Sequence, residues 1–165
     1  MPITTERSFN SETFTFTATA PFTVAIEAKD YKETDSGLEY IGTEKQQMGD
    51  GGLIAQITNT ENGEVVAVTD SSWSALVVQR APLNTACEQS NDPTSCESET
   101  LDTPENWTSA DFDSAPWASA TEWTADEVGP KEGYADVDWD AGAKLIWGSD
   151  LKVDNTILFR KEVGE

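Results

Sequence analysis

The run GYADVDWDAGA places Asp136, Asp138 and Asp140 at alternate positions, with Gly142 close behind. Three carboxylates so spaced can converge on a hard cation if the backbone turns, because calcium takes about 6–8 oxygen ligands. If the segment runs extended, alternate side chains share one face and the like charges repel, so either a cation or open solvent must relieve them. The pattern is not the helix-flanked calcium loop. Its glycine comes one position late, and Trp147 stands where a bidentate Glu belongs. A second acidic stretch, Asp30 to Asp50, holds Asp35, Glu39 and several glycines, and reads as an exposed loop of turn-forming residues.

Trp123, Tyr134 and Trp139 lie in loop-like sequence beside acids. Exposed there, their rings would be platforms for the apolar faces of sugars. The alternative is partial burial under a loop, the usual fate of Trp. Cys87 and Cys96 flank a short polar segment containing Pro93. That spacing predicts a disulfide and hence an oxidising compartment, since no CxxC pair, further Cys or His completes a metal site.

Catalytic chemistry finds no foothold. The chain has no histidine, which removes the commonest general base and every imidazole triad. No GxSxG, P-loop or GxGxxG run occurs. Among 31 Asp and Glu a glycosidase-like carboxylate pair can be drawn anywhere, so it carries no information. The expectation is a non-enzymatic binding module.

The formal net charge of -21 repels nucleic acid phosphates and anionic lipid. It suits a saline or cation-rich habitat, where an acidic surface keeps a protein soluble. No apolar run approaches the length of a membrane helix. The first residues, MPITTERSFN, lack a leader's apolar core, so a secreted or cell-surface form is expected to have lost its signal peptide. The sequon Asn106-Trp107-Thr108 reads as a chance match.

The elements that must position these residues are strands. A length of 165 residues suits one domain, residues 1–165, with a sizeable core. Thr13–Ala18 and Phe22–Ile26 alternate apolar and polar residues at period two. Leu38–Ile41, Leu53–Ile57, Glu64–Thr69, Ala75–Gln79, Ala143–Trp147 and Asn155–Arg160 complete the strand candidates. Asn62-Gly63 marks a hairpin. Residues 81–111 are irregular, and no long helical period exists. Many short strands separated by turn signals predict an all-β sandwich.

One family resemblance appears in the second half. Trp107, Asp111-Phe112-Asp113-Ser114, Trp117 and Ala120, then Ala143–Trp147, then Ile157–Arg160, resemble the galactose-binding-domain-like jelly rolls. Val68–Trp73 resembles the strand that precedes them. The likeness spans about residues 65–161, and the first half lacks the family's Asn-Gly strand end, with Ile41-Gly42 in its place. It implies a jelly-roll β-sandwich of two antiparallel sheets with long loops, commonly a carbohydrate-binding module with a structural calcium ion. It also implies that Trp73, Trp117 and Trp147 are core residues rather than ligand platforms. In related jelly rolls calcium sits near the sandwich edge, where the Asp30–Asp50 loop would lie. The combined expectation is an extracellular binding module for carbohydrate, with calcium as cofactor. The alternative is a structural or cell-surface assembly protein built on the same sandwich.

Overall fold

The computed structural model describes residues 11–164 apart from Asp50, Asn91 and Glu132. Eleven strands are present among them: β1 Phe22–Lys29, β2 Leu38–Glu39, β3 Gln47–Met48, β4 Gln56–Thr58, β5 Val65–Val68, β6 Ser74–Arg80, β7 Glu99–Thr100, β8 Ala118–Ser119, β9 Thr121–Trp123, β10 Leu145–Trp147 and β11 Asp154–Val163. The only α-helix is α1, Ala125–Val128, among the described residues. Thr124 and Glu127 close a capping box at its start, and Gly129 ends it in the left-handed conformation.

The main sheet runs β1-β11-β6-β7, with β8 also beside β6. All its pairings are antiparallel. Three two-stranded ladders accompany it: β9–β10, β2–β3 and β4–β5. Loop contacts knit two of these together. Leu53 and Ile146 exchange backbone hydrogen bonds of 3.0 and 2.8 Å. Thr69 bonds Ala55 through its amide at 2.9 Å and Lys144 through its hydroxyl at 2.7 Å.

Strand periodicity explains the core. Val24, Ile26 and Ala28 on β1, Ile157 and Phe159 on β11, and Ala75 and Val77 on β6 share one face of the main sheet. They pack with Trp73, Ala120, Leu53, Trp123, Ile146, Trp147 and Leu151. Trp147 and Phe159 are fully buried, the first as the resemblance implies and the second within the apolar run Ile157–Phe159, with rings 6.1 Å apart. The Trp147 indole N–H donates to the Asp154 carbonyl at 2.6 Å, so burying the ring leaves no orphan donor.

The expected Asn-Gly hairpin joins β4 to β5: Gly63 donates to the Asn59 carbonyl at 2.8 Å with φ of +75°. Several expected strands change. Leu38–Ile41 shortens to β2, and Leu53–Ile57 gives way to β4, with Leu53 joined to Ile146 only as an isolated bridge. Thr13–Ala18 joins no ladder and is exposed throughout, and Ala143–Trp147 shortens to β10. Period-two alternation makes a segment ready for a sheet, but a strand needs a partner, and the described chain gives Thr13–Ala18 none.

Candidate functional site

The second face of the main sheet is covered as well. Ala75-Leu76-Val77-Val78 on β6 is apolar on both sides, the signature of a strand packed on two faces. Residues 99–119 cross this outer face, and Leu101 donates to the Val78 carbonyl at 2.8 Å. Arg160 anchors the crossing. It projects from β11 beside Ser74 and donates to the carbonyls of Trp107, of Ser109 at 2.9 Å and of Phe112 at 3.3 Å. Its guanidinium lies 5.2 Å from the Phe112 ring centre, a cation–π distance. Phe112 meets Trp117 edge-on at 5.5 Å, and Trp107 stands 6.5 Å from Trp117. Arg160 is 5% exposed, and among the described residues no carboxylate pairs with it. Its Nε is the buried side-chain polar atom left without a partner there.

Between β6 and this cover lies a cavity of about 260 Å³. Leu76 and Val78 form its floor, and Leu101, Pro116 and the half-buried Trp117 its wall. Ser119, Thr121 and Ser149 bring hydroxyls to the margin, and Arg80 and Glu99 bring charge. Arg80 is held from behind by the buried Asp154, with Nε to Oδ1 at 3.0 Å, and faces Glu99 at 3.9 Å. A second cavity of about 240 Å³ lies near the other end of the cover. It is lined by hydroxyls of Thr23, Ser72, Ser74 and Ser114 together with Lys161 and Glu162.

The aromatic trio expected in loops divides. Trp123 sits on β9 opposite Leu145, half-buried against the core, and its indole N–H donates to the Gly148 carbonyl at 3.1 Å. Its ring is packing material, because β9 is a strand that flanking acids disguised as a loop. Tyr134 and Trp139 do come together. Their rings stack 6.3 Å apart at 28°, and the Trp139 indole N–H donates to the Tyr134 carbonyl at 2.8 Å. Both are half-buried.

Asp136, Asp138 and Asp140 are all exposed. The chain turns at 133–136 and again at 141–142. Asp140 uses Oδ1 to accept from the Gly142 amide at 2.8 Å, and its own amide donates to Gln56 Oε1 at 2.9 Å. Among the described residues no three acidic or cysteine side chains form a group that could hold a metal ion. As they stand, all three aspartates face solvent. Cys87 and Cys96 form the expected disulfide. The loop it closes is further tied by Asn84, whose side chain donates to the Ser95 carbonyl at 2.7 Å and accepts from the Glu97 amide at 2.7 Å.

Four acids are held below their ordinary pKa by local partners. The Lys32 ammonium does this for Asp35, the Thr94 hydroxyl and amide for Asp92, the Ser109 hydroxyl for Asp111, and the Thr124 backbone amide and hydroxyl for Glu127. Asp92 and Glu127 belong to the starts of helical turns, Asp35 pairs with Lys32, and Asp111 accepts from Ser109.

Comparison with protein-family models, curated proteins and solved structures finds no match to this chain.

Proposed function

We propose that this chain is an extracellular, non-catalytic binding module of galactose-binding-like jelly-roll type, and that it takes carbohydrate in the cavity between β6 and the 99–119 cover. The supporting observation is the cavity's chemistry: an apolar floor, one indole in the wall, and hydroxyls with an Arg–Glu pair at the margin. A sugar ring needs that mixture, an aromatic surface for its C–H face and polar groups for its hydroxyls. At about 260 Å³ the space lies just below the usual range for small-molecule clefts, roughly 300–1,000 Å³, so it suits a single ring. The stacked Tyr134–Trp139 pair is a second aromatic surface. The disulfide fits an oxidising location.

Glycan-array screening followed by titration of the Trp117→Ala variant tests this reading. The variant should bind at least about tenfold more weakly, a loss of ~1.4 kcal/mol. No glycan bound by the parent, or equal binding by the variant, would reject it. A second reading, an assembly protein on the same fold, is favoured by the open edge of β1.

A further inference from the structure

β1 is the end strand of the main sheet. It pairs with β11 along all eight of its residues, and no described strand lies on its other side. Sheet edges are usually blunted by charge, proline or a bulge. Phe22–Ile26 has none of these, and the only charges on β1, Glu27 and Lys29, sit at its far end and pair with each other at 2.9 Å.

Thr13–Ala18 is the matching piece. Its period-two pattern of Thr with Phe, Phe and Ala suits a strand. Yet every residue in it is exposed and none joins a ladder, with Phe14 41% and Phe16 48% exposed. Six extended residues span about 20 Å, enough to cover the uncharged part of β1. Phe16 already touches Phe22, with rings 5.9 Å apart. The segment thus starts beside its own β1 without bonding to it, which leaves one strand-like arm and one receiving edge open on each copy.

We infer that two copies exchange these arms, with Thr13–Ala18 of each adding as a strand to β1 of the other. A reciprocal exchange closes on itself as a two-fold dimer and leaves neither arm nor edge open. The net charge of -21 on each copy opposes the encounter. Screening therefore governs it: the Debye length falls from about 10 Å at 0.1 M salt to about 3 Å at 1 M. Dimer formation should strengthen as salt rises.

Sedimentation velocity of the full chain at about 0.1 M and about 1 M sodium chloride provides the test, with Thr15→Pro and a chain lacking residues 1–18 run alongside. Proline removes a donor from the arm but breaks no ladder bond of the folded monomer, and circular dichroism checks that the variant folds. The parent should shift to a dimer at high salt while both variants stay monomeric. A parent that is monomeric at both salts overturns the inference, whether its arm is loose or folded onto its own β1. So does a Thr15→Pro variant that dimerises like the parent.

Discussion

Arg160 carries a charge into the face between β11 and the 99–119 cover, and it holds three backbone carbonyls there. Hydrogen bonds to charged groups contribute about 1.5–3 kcal/mol each, and orphaned buried acceptors add a penalty when one partner goes. Arg160→Met should therefore cost about 3 kcal/mol or more in urea unfolding. A loss under about 1 kcal/mol would show that the cover holds itself in place. Trp147→Ala should cost about 3–5 kcal/mol, because the ring is fully buried and packs against Phe159. The four acids with lowered pKa carry a pH sign. Their folded values lie below the unfolded ones, so their contribution is complete only above about pH 5, clear of the unfolded values, and is lost as pH falls through the folded values. An NMR titration should find Asp92, Asp111 and Glu127 losing charge below the ordinary range of exposed carboxylates. Midpoints at or above that range would mean that their Ser and Thr partners do not hold them.

At the scale of elements, the Cys87–Cys96 bond closes a short segment that has little regular structure beyond two 3-10 turns, Thr85–Gln89 and Pro93–Ser95. The chain-entropy model credits so short a loop with about 2–3 kcal/mol. Reduction should lower the melting temperature accordingly, and intact-mass measurement without reductant should show two hydrogens fewer than the free dithiol. The hairpin between β4 and β5 responds differently from the core glycine. Gly63 has open space where a Cβ would stand, so Gly63→Ala meets only the cost of a positive φ, about 1–2 kcal/mol. At Gly51 an added Cβ would stand 2.4 Å from the Trp147 ring, so Gly51→Ala must displace the core and should destabilise more. Equal losses at the two sites would place Trp147 elsewhere.

For the whole molecule, charge dominates. Any cation screens a net charge of -21, so salt should raise the melting temperature whatever the cation's identity. Calcium and magnesium at matched ionic strength should act alike, because Asp136, Asp138 and Asp140 are exposed and Asp140 turns to the Gly142 amide. Asp138→Asn should respond to either as the parent does. A larger shift with calcium, lost in Asp138→Asn, would establish a specific site that forms only when the ion binds.

The sequence by itself determined the strand-rich class, the Asn62-Gly63 hairpin, the disulfide and the burial of Trp147 and Phe159. Each is set by short-range chemistry: period-two alternation, a turn residue that tolerates positive φ, two thiols close together along the chain, or an apolar run too long to leave wet. Tertiary structure alone decided where Trp117 and Trp123 went. Trp117, which its motif assigned to the core, lines a cavity, while Trp123, flanked by acids, packs on β9 against the core. One hint was present in the doubly apolar run Ala75–Val78, which requires a cover on each face without saying which residues supply it. The three aspartates are the converse case, since alternate spacing permits convergence but the turns around them direct Asp140 to Gly142. Thr13–Ala18 is patterned as a strand and is not one in the single chain. Pairing is a property of two segments brought together in space, and no pattern within one segment can supply the other.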